Sequence, residues 1–268
     1  MLATWHACDV IEAPVPPAVA RAVAGGRFGD VRWFEEIDST NVWVAAEARR
    51  GAPEGLVAVA DLQTAGRGRL DRRWVAPAGS GLLCSVLVRP AVPTERLHLV
   101  SFAMALAVVD SVGFAASLKW PNDVIVPARG ERKLAGILAE AVDAGADAAV
   151  VVGVGVNVTR PATIDPEVGD RAVWLSELTV ADRSALLVAL LRAFAGRLGQ
   201  LEDTPEATVS DYRAACTSIG RRVRVALPDG GFDGVALDLD PHAGLVVRDD
   251  AGTLRVVTAG DVVHAALV

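Results

Sequence analysis

The hydrophobic periodicity of this chain changes abruptly near Ile219. Upstream, apolar residues alternate in some runs and recur at three- and four-residue spacing in others; downstream only short alternating runs remain. Two periodic regimes within 268 residues require two units built differently. The first regime predicts strands over 31–37, 56–61, 82–88, 117–120 and 124–126, with Val- and Ile-rich buried strands over 135–142 and 148–156. Helices are predicted over 40–50, stopped by Gly51, over 94–112, ended by Gly113, and over 184–198 and 206–216. Together they imply one mixed α/β sheet with helices over residues 30–216. Residues 1–29, with a helix-capable patch at 18–24, read as a lead-in segment. Residues 217–268 read as a small β-barrel module. Its strands at 223–227, 235–239, 245–248 and 254–258 are separated by the turns Pro228-Asp229-Gly230-Gly231 and Asp249-Asp250-Ala251-Gly252.

Composition narrows the function. The chain is 52% apolar and 22% charged, which a disordered segment is not. A formal charge of −7 gives no overall field toward nucleic acid or an anionic membrane, and the β module itself holds five Arg against seven Asp. Cys8, Cys84 and Cys216 lie far apart without metal-ligand spacing, so reduced thiols in a cytoplasmic protein are expected. The N-terminal residues lack a basic start followed by an apolar run, and stretches such as 146–156 are too short to span a bilayer.

The chemistry concentrates in a few short segments. Gly66-Arg67-Gly68-Arg69-Leu70-Asp71-Arg72-Arg73 carries a local charge of +3 in an acidic chain, and its glycines let backbone amides approach an anion. A solvated basic loop has the same composition, but no Walker or dinucleotide pattern accounts for it. Lys119-Trp120-Pro121-Asn122-Asp123 and Lys133-Leu134-Ala135-Gly136 contain the chain's only two lysines, among 24 arginines. A compact ammonium can follow charge as it moves from a carboxylate to a phosphate, although two ordinary surface lysines would look alike. Asp38-Ser39-Thr40-Asn41 opens a helix after a strand, where Ser39 or Asp38 suits an N-cap and a hydroxyl also suits a small polar ligand. Gly153, Gly155 and Asn157 end a buried strand and fit either tight packing or close ligand approach.

Taken in order and spacing, Ser39-Thr40-Asn41, Gln63 with the Gly/Arg loop and Trp74, Lys119 to Asp123, Lys133 to Ile137, and Gly153 to Asn157 resemble the biotin protein ligase family. The β module resembles that family's C-terminal SH3-like domain. The resemblance implies a mixed α/β catalytic fold related to class II aminoacyl-tRNA synthetases and lipoate ligases. It implies that biotin and MgATP form biotinyl-5′-adenylate, and that a lysine of a biotin carboxyl carrier domain of acetyl-CoA carboxylase then takes the biotinyl group. By the same resemblance, Ser39, Thr40, Asn41, Gln63, Gly66, Arg67, Arg69, Lys133, Gly136 and Gly155 bind biotin. Arg69, Arg72, Trp74, Lys119, Asn122 and Asn157 bind ATP, with Trp74 stacked on adenine. Lys133, Arg69 and Asp123 carry the catalysis, and Asp123 is the candidate Mg²⁺ ligand.

Two features depart from relatives. Asp71 stands where several carry Gly, which removes one unit of positive charge from the loop. Only Arg21 and Arg27 are basic before Val31, so a helix-turn-helix module that binds DNA is not expected. A monomer or weak homodimer is expected, with a Gly/Arg loop that orders over its ligands. A lipoate-type ligase on the same scaffold and a biotin sensor without catalysis are the competing readings.

Overall fold

A computed structural model describes residues 10–142, 148–227, 230–258 and 261–264. The chain runs β1 (Ile11–Ala13), α1 (Pro17–Val23), β2 (Asp30–Ile37), α2 (Thr40–Arg49), β3 (Leu56–Gln63) and β4 (Gly81–Val88). After a 3₁₀ turn at Thr94–Leu99 come α3 (Val100–Ser111), β5 (Ser117–Lys119), β6 (Asp123–Val126), β7 (Arg132–Ala141) and β8 (Val150–Asn157). Then α4 (Pro166–Arg171), α5 (Arg183–Asp203) and α6 (Pro205–Ala215) precede β9 (Arg222–Leu227), β10 (Gly230–Leu239), β11 (Leu245–Asp249), β12 (Leu254–Val257) and β13 (Asp261–His264).

The first eight strands form one sheet in the order β1-β2-β3-β4-β8-β7-β6-β5. Only β2 and β3 run parallel, so the chain leaves both at the same edge of the sheet. One face is covered by α1, α3, α5 and α6, which pack over the alternating residues Leu82, Cys84 and Val86 and over Val152 and Val154. On the opposite face α2 packs over Phe34, Ile37, Leu83 and Leu87. That helix is short and leaves the β7–β8 part of its face to something else. Helix α5 has the length and apolarity of a membrane span, but its stripe Leu187, Leu190, Phe194, Leu198 and Leu201 is fully buried, as in a core helix.

Residues 217 onward form the five-stranded antiparallel order β12-β11-β10-β9-β13, the SH3-like module expected. Asp249 builds its predicted turn by accepting from the amides of Ala251 and Thr253. The other predicted turn includes residues 228 and 229, outside the described residues. The lead-in segment is corrected. Strand β1 extends the large sheet beside β2, and Phe28 stacks on Phe194 at 5.2 Å between centroids, so residues 11–28 pack onto the first unit and give its core Val19, Val23 and Phe28. Arg27 ties this segment to Glu54 and Glu202 at 2.7 and 2.6 Å.

Candidate active site

The uncovered face of the sheet is floored by glycine. Registration places Gly136 of β7 beside Gly155 of β8, with Leu83 of β4 and Asp123 of β6 at the ends of the same row. The adjacent row holds Ser85, Gly153 and Leu138. A side chain at Gly155 would meet the Trp74 indole at 2.5 Å, and one at Gly136 would meet Lys133 and Trp74 at 3.0 Å. These two glycines therefore exist to let large groups lie flat on the strands.

A cavity of about 150 Å³ stands on this floor. Its walls bring together Ser39, Thr40, Asn41, Gln63, Arg67 and Arg69 with Arg72, Trp74, Asn122, Asp123, Lys133, Gly136 and Gly155. Thirteen of the sixteen residues expected at the site thus line one space. The other three do not. Gly66 sits in the loop, where a Cβ would strike the Trp74 carbonyl oxygen at 2.5 Å, so its smallness lets the loop cross itself. Asn157 donates from Nδ2 to the Lys133 carbonyl at 3.1 Å and so holds the lysine's backbone. Lys119 faces the Glu131–His264 pair at the boundary with the β module, away from this cavity.

The inner end of the cavity is a buried hydrogen-bond chain. Ser39 occupies the N-cap position of α2, yet its side chain makes no capping bond. Gln63, at the end of the parallel neighbour β3, supplies the cap instead: its Oε1 accepts from the Thr40 amide at 2.7 Å and from Thr40 Oγ1 at 3.0 Å. Ser85 Oγ lies 2.7 Å from Thr40 Oγ1 and donates to Asn41 Oδ1 at 2.6 Å. Asn41 Nδ2 donates to Glu140 Oε2 at 2.9 Å and to the Leu138 carbonyl at 3.3 Å. A Cβ at Gly153 would fall on that amide, so Gly153 answers to Asn41. Ser85 and Glu140 are absent from the sequence-based site. Their only signals are a hydroxyl in an otherwise apolar buried strand and a carboxylate near the end of one.

The outer end is cationic. Arg67, Arg69, Arg72, Arg73 and Lys133 line it, with Asp123 the single carboxylate among the described lining residues. The Gly/Arg loop is a folded hairpin. Arg67 bridges Arg73, Gly68 N donates to the Arg72 carbonyl at 2.7 Å, and Arg73 Nη2 donates to the Thr64 carbonyl at 2.7 Å. Arg67 is latched to Glu140 at 3.0 Å. Leu70 and Asp71 both take left-handed φ values, 54° and 55°, which a short polar Asp tolerates better than most residues.

Trp74, at the loop's end, turns inward over Gly155 and Gly136, and its Nε1 is buried without a partner among the described residues. Lys133 Nζ stands 5.4 Å from its ring centroid and 2.7 Å from Asp123 Oδ1. Cys84 points from β4 into the helix-covered core, away from the cavity, and burial pushes its thiol up to about 12, so it is not a nucleophile. Among the described residues no three His, Cys, Asp or Glu side chains gather into a metal cluster.

A second cavity, of about 360 Å³, adjoins the first and is walled by both units. Arg69, Asn122, Ile137 and Leu138 border it from the sheet, and His242, Ala243 and Gly244 from the β module.

Comparison with known proteins finds relatives of both units. Residues 33–157 match the biotin/lipoate A/B protein ligase family, and residues 218–265 match the biotin protein ligase C-terminal domain. The chain is 42% identical to the biotin–[acetyl-CoA-carboxylase] ligase of Mycobacterium tuberculosis, covering 93% of this chain and 96% of that one. It is 31% identical to the enzyme of the same name from Paracoccus denitrificans, over 84% of this chain and 96% of that one. The biotin protein ligase from Aquifex aeolicus, solved in complex with biotin and ATP, superposes with a TM-score of 0.75 at 27% identity over 89% of this chain and all of that one. With both units matched in order and a relative similar along nearly its whole length, the chain belongs to the biotin protein ligase family.

Proposed function

We propose that the chain condenses biotin with MgATP to biotinyl-5′-adenylate and pyrophosphate, then passes the biotinyl group to a lysine of a carboxylase carrier domain. One observation supports this most: a single cavity joins a buried pocket of neutral hydrogen-bonding groups to a mouth of five cations. A cyclic urea presents two N–H donors and one carbonyl, which the Thr40–Gln63–Ser85–Asn41 chain can match at the inner end. The aliphatic tail then runs over the glycine floor toward Lys133 and Arg69.

Adenylation brings a carboxylate against a triphosphate, and like charges keep the two apart unless cations stand between them. Lys133 and the loop arginines supply that charge in a partly enclosed site. A carboxylate oxygen attacks the α-phosphorus, the bond from that phosphorus to the bridging oxygen breaks, and pyrophosphate leaves. In the second step the carrier amine attacks the acyl carbon, loses a proton, and AMP leaves. Asp123, paired with Lys133 at 2.7 Å, is the carboxylate that would hold the magnesium of MgATP, whose charge would help to neutralise the triphosphate. Trp74 leaves the glycine floor when biotin enters and covers the adenine, for which its flat ring is suited.

The test is ATP–pyrophosphate exchange with biotin, lipoate and octanoate offered separately to wild type and Lys133→Ala. Exchange that requires biotin and collapses in the variant is the expected result. Exchange with lipoate would move the chain to the lipoate branch of the family, and biotin binding without exchange would make it a sensor.

A further inference from the structure

The β module touches the sheet through a buried polar network that none of the site chemistry uses. His264, on β13, lies 2.9 Å by Nδ1 from Glu131 Oε2 and 2.9 Å by Nε2 from Ser218 Oγ. Ser218 is fully buried, and its Oγ accepts the backbone N–H of Trp120 at 3.1 Å. Trp120 is held a second time, its indole N–H donating to the Ala243 carbonyl at 3.1 Å. Both anchors come from residues 217 onward. Trp120 opens the turn that carries Asn122 and Asp123, and the far end of this turn is fixed to β7: Asn122 exchanges hydrogen bonds with Ile137, at 2.9 and 3.1 Å. The turn that aims Asn122 and Asp123 into the cavity is thus clamped by the sheet at one end and by the β module at the other.

Hydrogen-bond bookkeeping fixes the proton. The Glu131 carboxylate can only accept, so in the neutral ring Nδ1 carries the hydrogen that it receives, and Nε2 accepts the hydrogen of Ser218 Oγ, which itself accepts from Trp120. A second proton on the ring would have to sit on Nε2, pointing at Ser218. The serine hydrogen would then turn to the Cys216 sulfur, a weak acceptor. Around the ring, Glu131 favours the charge while Lys119 and Arg221 oppose it, and burial holds His264 below its ordinary value. Glu131 is itself posed for this contact, in the left-handed region at φ 59°, with Arg221 on its other oxygen at 2.6 Å.

We infer that His264 and Ser218 are positioning residues for the Asn122–Asp123 turn, acting through Trp120, and that protonation of His264 loosens it. The kinetic part rests on the adenylation reading above; the structural part does not. The experiment has two readouts on wild type, His264→Ala, His264→Gln and Ser218→Ala. Hydrogen exchange of the Trp120 amide, measured without substrate, reads the clamp. KM for ATP in pyrophosphate exchange, between pH 5.5 and 8, reads its consequence.

His264→Ala and Ser218→Ala are expected to speed Trp120 exchange and raise KM for ATP by about three- to tenfold, the worth of one hydrogen bond. Wild type should show the same rise as pH falls below the ordinary histidine value of about 6.5. His264→Gln, whose carbonyl accepts from Ser218 at any pH, should stay flat. Unchanged Trp120 exchange in His264→Ala overturns the proposal, as does the same pH curve for wild type and His264→Gln. If His264→Ala fails to fold, the glutamine comparison decides alone. Absence of biotin-dependent exchange in wild type would strike the functional reading, while amide exchange still decides the clamp.

Discussion

Two alanine substitutions, two residues apart on the same face of β8, should have different consequences. At Gly153 a methyl group would fall on the Asn41 amide, 2.9 Å from Cγ, and that amide is fixed on both sides. Moving it breaks its bonds to Ser85, Glu140 and the Leu138 carbonyl and leaves the buried Ser85 hydroxyl with Thr40 Oγ1, at 2.7 Å, in its place. Losing the three bonds of this buried amide and leaving it short of partners costs about 3–4 kcal/mol. Alanine recovers about 0.5–1 kcal/mol of backbone entropy, too little to offset this. The net loss of about 2–3 kcal/mol corresponds to a Tm lower by roughly 4–12 °C for a chain of this size. At Gly155 the methyl would meet only the Trp74 indole, at 2.5 Å, and that ring belongs to a loop that can move aside. Gly155→Ala should melt close to wild type while losing biotin affinity, because the floor itself is raised. Calorimetric melts and biotin titration of both variants decide the matter. A Gly153→Ala protein that melts with wild type would refute the claim that the buried chain is rigid.

Lys133→Ala should lower the adenylation rate by about 10²–10³, the usual cost of losing a group that faces developing charge, as single-turnover measurements would show. Glu140→Gln removes the latch on Arg67, so trypsin should cut within residues 67–73 faster than in wild type when no ligand is present. Biotin with ATP should change the wild-type cutting rate, and an unchanged rate would mean that the loop does not respond to its ligands. The Arg27 guanidinium holds the Glu202 carboxyl below its ordinary value, chiefly through their hydrogen bond. A depressed carboxylate stabilises the fold above its unfolded pKa and loses that contribution as pH falls through the folded one. Arg27→Met should therefore be less stable than wild type at pH 7, with the gap narrowing below about pH 4.5 in denaturant titrations.

Much of this was legible because positive charge clusters at the site in an otherwise acidic chain. Four arginines within residues 66–73, and lysines at only two positions, stand out against composition, and the loop arginines line one cavity with Lys133. What stayed hidden depends on registry across strands distant in sequence. Ser85 matters because it faces Gly153 and reaches Asn41, and nothing local to Leu82–Val88 announces that. Glu140 looked like the polar end of a strand until Arg67 and Asn41 were found on it. Lys119 shared a segment with Asn122 and Asp123, but it lies on β5 before the turn and faces the β module. The capping of α2 by Gln63 was likewise invisible, since the donor and its cap lie 23 residues apart. Strand β1, three residues long, and α4, six, are too short for periodicity to register.

The inward pose of Trp74 bears on how the protein meets its first ligand. If biotin lies on the glycine floor as proposed, an indole resting there is an intramolecular competitor for the same space, present at fixed effective concentration. Observed affinity is then the intrinsic affinity scaled by the fraction of molecules with the floor exposed. Association would follow a saturating dependence on biotin, capped by the rate at which the ring departs and not by collision. Stopped-flow tryptophan fluorescence would display that ceiling directly, and Trp74→Ala would remove it, trading a faster entry for a floor left open to water.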